Sequence, residues 1–517
     1  MARRIGWTWV MAWLCAGATA AASASEPLFL DLQQQGATTS RTLTAHLLPA
    51  QADLGRPISL FVAALLPGGA WVVLSPAGWL PLGAEPPAWQ HAQPAAFSHS
   101  VALVDAADVG GLLGTRVFAG YGHATGTVAA AWAEMLAAGR YREIGTLRAA
   151  PTLGLNAPAS APACPADAGA PLFGTAPIDP VDFIAMRPLG FQSNPIHVFP
   201  AKHGAFSMTP LGATPQARPV RAPARASVRE MIQVRIASGG GNYQVFMHPC
   251  REVRLYFGHL ATVSTRLQAA FDAGTPRCSA ISGELTTCRR DDLDLALDEG
   301  EVFGHGPDTA GVDFGLVDAR RPAAGFIYPE HYDAYYPFWQ APLDYFNSAV
   351  RAALAAKTGS VLGALRRTAE PLGGSHAVDL AGTAQGNWFV PGRYWIDSGG
   401  DSAGLLALGS DYVDPAQPLL AHGGAVSGLA AGLMAYTPRD SGAVNRRFAD
   451  ISGGGTFCLE GFLGGRSPGE MPLSAPSGAL MLKLLNPVAL RVEWVPGSDC
   501  SVLAGWAFST KAAVFVR

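Results

Sequence analysis

Charge is scarce in this 517-residue sequence. Acidic and basic residues make up 15% of it, the lysines number four, and no long run of one sign occurs. A nucleic-acid-binding face needs clustered cations to neutralise phosphates, and the net charge is −3, so nucleic acid is excluded as a partner. No apolar run beyond the N-terminal segment reaches bilayer length, so no transmembrane segment is expected in the mature chain. No Cys-x-x-Cys pair occurs, which excludes a dithiol redox motif and a zinc ribbon. What is abundant is Gly (60), Pro (40) and apolar residues (49%). Short apolar stretches closed by Pro and Gly point to a mainly β chain, and the length to two to four domains.

Residues 1–25 read as a signal peptide. Arg3 and Arg4 precede an apolar stretch, and the small residues 20–25 suit cleavage near Ser25. Cys15 raises a lipoprotein alternative, against which stands the bulky Leu14 before it. The expected localisation is therefore secreted or periplasmic. Six cysteines remain after Cys15, an even number that suits an oxidising compartment. Fifteen connectivities are open to six cysteines. The most economical set is Cys278–Cys288, Cys458–Cys500 and Cys164–Cys250.

Residues 26–150 read as a β-sandwich module, with strand signals at 42–48, 58–66 and 70–75. The Ala/Pro-rich stretch 151–178 reads as a linker. Residues 179–320 form a second β-rich unit with a helix at about 263–271. Residues 321–370 are an aromatic and helical connector, and 371–517 a β-rich C-terminal domain with few helices. Gly386-Asn-Trp388 echoes the Gly-x-Trp pattern of lipocalin barrels, although a core Trp after a turn accounts for it as well.

Four elements follow one another in the second unit. They are Phe199-Pro-Ala-Lys-His203, Gly241-Asn-Tyr-Gln-Val245, Leu255-Tyr-Phe-Gly-His-Leu260, and Gly300-Glu-Val-Phe-Gly-His-Gly306 followed by Thr309-Ala-Gly-Val-Asp-Phe314. Their order resembles the lysostaphin-type (LytM-like) zinc metallopeptidases, which cut peptide cross-links of cell walls. The resemblance implies a β-sheet domain over roughly 190–320. It places Phe199 at the first zinc-ligand position and His203 at the second, where the family has Asp. It makes His259 the catalytic His. It sets Gly311 where a second catalytic His belongs and Asp313 where the third ligand His belongs. His203 and Asp313 are both legal metal ligands, and His197, His259 or His305 is left to supply a third.

That pattern leads to the expectation of a degenerate domain without a resident cofactor. The function expected is that of a non-catalytic envelope or extracellular binding or structural protein, its partner a cell-wall peptide or an envelope polysaccharide. A zinc-dependent wall peptidase or amidase with rearranged ligands is the first alternative. A surface or secretion accessory protein is the second. Other constellations carry less. Ser375, His376 and Asp379 lie close in sequence, but no nucleophile elbow surrounds Ser375. The acidic stretch 291–300 lacks the spacing of a calcium loop. The aromatics Tyr328 to Trp339 suit packing between domains better than a sugar platform.

Overall fold

The computed structural model describes residues 28–29, 32–96, 98–149, 153–193, 197–210, 213–395 and 402–517. The expected signal peptide and Cys15 lie outside the described residues. The chain is mainly β and multidomain, with three short α-helices among the described residues. Among those residues no helix is long and apolar enough to cross a membrane.

Two sheets face each other in the N-terminal part. One is built on Arg41–Leu48, paired with Gln33–Gln35 and His99–Ala107. The other is built on Pro57–Leu65, paired with Arg116–His123 and Trp71–Ser75. Alternate residues Leu43, Ala45 and Leu47 of the first meet Ile58, Leu60, Val62 and Tyr121 of the second in one core, so the unit is a sandwich. Helix Val128–Ala137, capped by the Thr127 hydroxyl on Ala130 N–H, covers part of the second sheet.

Residues 153–178 form no helix or strand, yet they are no free tether. The Cys164–Cys250 disulfide fixes them to the central sheet. Arg251 donates to the Pro162 and Ala161 carbonyls, and Phe173 and Ile178 enter the core of that sheet. The composition of a linker here belongs to a strap whose irregular backbone is pinned by side chains.

Every strand pair in the ten-stranded central sheet is antiparallel. Its main path runs Ala185–Arg187, Gly204–Ser207, Gly311–Asp318, Val253–Leu260, Gly241–Cys250, Ala226–Ile236, Leu285–Arg290 and Arg277–Ala280. Helix Thr265–Asp272 starts at Ser264, whose hydroxyl accepts from Leu267 N–H, and buries Leu267 and Phe271 against one face. Cys278 and Cys288 sit opposite each other on the edge hairpin and are bonded. The acidic stretch beside them pairs with arginines, Asp291 with Arg277 and Asp292 with Arg290, so it is a solvated ion-pair surface.

The C-terminal part is an eight-stranded sheet of two four-strand meanders, joined where its first strand, Gly386–Phe389, pairs with its last, Ala513–Val516, and edged by Gly432–Ala435 and Thr456–Leu459. The sheet forms a half-barrel. Its two faces are both buried. Trp388, Leu406, Leu408, Leu420 and Leu482 fill the concave side. Phe389, Leu405, Ala407, Leu419 and Ala421 pack on the other side against Phe199, Tyr328, Tyr332 and Tyr336. This explains the unbroken run Leu405-Leu-Ala-Leu408, since a strand covered on both faces has no polar side. Trp388 is a core residue. Its Nε1 donates to Ala384 O, and the Arg517 guanidinium lies 4.3 Å from its ring centre. The Cys458–Cys500 disulfide ties the edge strand Thr456–Leu459 to the turn Cys500–Leu503.

Candidate functional site

Three adjacent strands of the central sheet bring the motif residues together. Asp313 lies on Gly311–Asp318, the strand in the middle. Across one edge it faces Ala205, two residues after His203. Across the other it faces Gly258, one residue before His259. Antiparallel register therefore brings the His203 and Gly258–His259 segments to either side of one carboxylate. Nδ1 of His203 is 3.7 Å from Asp313 Oδ1, and Nε2 of His259 is 3.6 Å from Asp313 Oδ2.

His259 reaches this position through a backbone irregularity. Tyr243 pairs with Leu260 and Val245 with Phe257, so Gly258 and His259 together oppose Gln244 alone. This is a β-bulge, and it re-aims a side chain that a regular strand would point elsewhere. His259 takes a left-handed φ of 60°, a conformation that costs a residue with a Cβ. A side chain at Gly258 would run into the Tyr256 hydroxyl and the Asp313 carboxylate. Glycine at that position therefore leaves room for the Tyr256–Asp313 hydrogen bond.

Asp308 buttresses His259. Nδ1 of His259 donates to Asp308 Oδ1 at 3.2 Å, Asp308 N–H donates to the His259 carbonyl, and Asn242 donates to Asp308 Oδ2 at 2.7 Å. The Asp308 bond, with help from the Asp313 charge and against burial, raises His259 above the usual imidazole value. Burial pushes Asp308 upward, but the bonds from His259 and Asn242 outweigh it and hold this carboxyl below its usual range. Tyr256 donates to Asp313 Oδ2 at 3.4 Å. Burial, and then the Asp313 charge, push the Tyr256 phenol well up, so it stays a neutral donor. The His197 ring lies 5.4 Å from that of His203, centre to centre. Burial first, and then the neighbouring His203, push His197 down to about 3.

Zinc, which the family resemblance implies, does not fit these residues as they are placed. Phe199 offers no donor and is packed among Phe389, Trp395 and Tyr332. Gly311 has no side chain to offer. Nδ1 of His203 donates to the Gly204 carbonyl at 3.1 Å. The donor atoms of His203, His259 and Asp313 are also too spread out. Among the described residues, the one group with three candidate ligand atoms all within 4.8 Å of one another is Cys164, Cys250 and Glu252. Those two cysteines are a disulfide and supply no thiolate. His305 lies exposed on a separate small sheet, opposite Pro219 and Thr262.

What the cluster offers is hydrogen bonding. His259 is 43% exposed at the side chain and held by two carboxylates, while His203 and Asp313 are nearly covered. A peptide carbonyl or a sugar hydroxyl can reach a donor of this kind. Sequence reading found His203, His259 and Asp313, and missed Asp308, Asn242 and Tyr256. Asp308 follows Gly306-Pro307, a turn signal just ahead of the Asp313 strand, and that was the available clue.

The Ser375, His376 and Asp379 constellation does not assemble. Ser375 bonds Ala377, buried His376 bonds the Tyr336 carbonyl, and Asp379 accepts from Asn387 and Ile327 N–H. The aromatics Tyr328, Tyr332 and Tyr336 are buried in the core shared with the half-barrel. No family model matches the chain, and no curated protein matches it. Fold and site together define a multidomain, disulfide-bonded β protein with a His–Asp–His cluster on its central sheet.

Proposed function

We propose that this chain is an exported bacterial envelope protein that binds cell-wall peptide or envelope polysaccharide without cutting it, on a degenerate lysostaphin-type domain. One observation carries the reading: Phe199, at the position of the first zinc ligand, is built into the aromatic core that joins two units of the molecule. A side chain doing that work cannot be turned back into a ligand by a small movement. The bulge that strains His259 nevertheless keeps it half-exposed beside Asp313, and strain of this kind marks positions where something is bound. Three disulfides suit the exported state. The test is co-sedimentation of the mature protein with insoluble cell-wall material. Binding is expected, with at least a tenfold loss in His259→Ala by ligand-contact arithmetic (about 1.4 kcal/mol) and no release of soluble fragments. Fragment release, or undiminished binding by His259→Ala, overturns it.

A second reading rests on the 3.6 and 3.7 Å approaches of two imidazoles to one carboxylate. Drawn inward, His203, His259 and Asp313 make a set of three zinc ligands. Metal analysis of the protein purified without chelator decides it. One equivalent of zinc, lost in His203→Ala, establishes this reading, and metal-free protein removes it.

A further inference from the structure

A cleft of about 290 Å³ lies where the N-terminal sandwich meets the aromatic segment and the half-barrel. Leu32, Ile144 and Tyr394 line it, and Arg41, Arg148 and Glu330 bring charge to it. Arg41 is 2% exposed. Two of its nitrogens donate to the Gly36 and Arg148 carbonyls, while its Nε is buried with no hydrogen-bond partner. Glu330 also lines the cleft, from the turn Pro329–His331, and its Oε2 is likewise buried and unpartnered. The two groups feel each other's charge, yet no ion-pair contact joins them. A buried charge left without its full complement of partners is costly, and a fold that keeps two of opposite sign on one cleft keeps them for something.

A ligand with one positive and one negative end satisfies both at once. We propose that this cleft binds a free α-amino acid, with its ammonium on Glu330 and its carboxylate on Arg41. Arg148, exposed and also lining the cleft, adds a second cation for the carboxylate. Leu32, Ile144 and Tyr394 leave the amino-acid side chain an apolar and aromatic surround, the usual make-up of a small-ligand pocket. Neutral sugars satisfy hydrogen bonds but leave both charges uncompensated, so they rank below a zwitterion. This cleft is separate from the His203–His259–Asp313 cluster and stands whether or not that cluster binds wall material.

The test is isothermal titration of the full mature protein with each common amino acid at millimolar concentration. At least one is expected to bind. Its N-acetyl and carboxamide derivatives, each lacking one charge, are expected not to. Glu330→Gln, which keeps the shape of the side chain, is expected to weaken binding about tenfold or more. Its circular dichroism and thermal midpoint without ligand report that the fold is kept. If Glu330→Gln misfolds, the two blocked derivatives still decide the matter on the unaltered protein. Binding by no amino acid, equal binding of the blocked derivatives, or binding of a neutral monosaccharide in their place overturns the proposal.

Discussion

Glu330 shows how one side chain ties stability to pH. Burial pushes its carboxyl up to about 7, with its own backbone N–H and the Arg41 charge working the other way. Below the ordinary value of 4.5 the group is neutral both folded and unfolded, and folding carries no penalty. As pH rises toward 7 the unfolded chain ionises first, so stability is lost across that window and stays lost above it. Glu330→Gln in the ligand-free protein is therefore expected to match the parent near pH 4. It is expected to exceed the parent by about 1–3 kcal/mol near pH 8. Urea unfolding at the two pH values checks this, and an equal difference at both removes the explanation. This residue was invisible in the sequence, where it is one Glu among aromatics. Nothing in its neighbours along the chain foretells Arg41, which arrives from 289 positions away. His203, His259 and Asp313 were legible because short motifs carry them. Asp308, Asn242 and Tyr256 were not, because their roles depend on how the strands register.

At the scale of the element, the bulge at Gly258–His259 is where local structure and site meet. A regular Val253–Leu260 strand would leave His259 without Asp308 and Asp313, so the two-against-one pairing with Gln244 does the positioning. His259→Gly makes the cost measurable. Glycine relieves a left-handed strain of about 1–2 kcal/mol and loses about 0.5–1 kcal/mol of chain entropy in a strand. The hydrogen bond to Asp308 also disappears, a loss of about 1–2 kcal/mol. These nearly cancel, so the variant is expected to unfold within about 1 kcal/mol of the parent while wall binding is lost. A fall of 3 kcal/mol or more, on the order of a core truncation, would show that His259 holds the fold together instead. Strands were legible here as apolar runs closed by Gly and Pro, and the helix expected at about 263–271 is observed at Thr265–Asp272. The bulge was not, since a single extra residue leaves no mark on the period of a short strand.

At the scale of the whole molecule, the packing of the aromatics Tyr328 to Trp339 between parts of the chain was legible in the sequence, but the residues they pack against were not. Within the connector 321–370, Tyr328, Tyr332 and Tyr336 are core, shared between Phe191, Val198 and Phe199, which precede the Gly204–Ser207 strand, and one face of the half-barrel. The half-barrel has no polar outer face because it is not a free-standing unit. The N-terminal sandwich differs, with a core of its own and small ties to the rest, among them Leu48 and the bond from Gln35 to the Ile327 carbonyl. Units that share a core unfold together, and those joined by a small contact unfold apart. Calorimetry with the disulfides intact is therefore expected to show two transitions, one for the sandwich and one for everything from residue 153 onward. Phe389 is fully buried and lies 5.0 Å from Phe199 and 5.3 Å from Tyr332, ring centre to ring centre. Phe389→Ala removes that anchor at a cost of about 3–5 kcal/mol. It is expected to lower the larger transition by several degrees and leave the smaller one in place. A third transition in the parent protein, or an equal shift of both in Phe389→Ala, would mean that the aromatic cluster is not what couples the central sheet to the half-barrel.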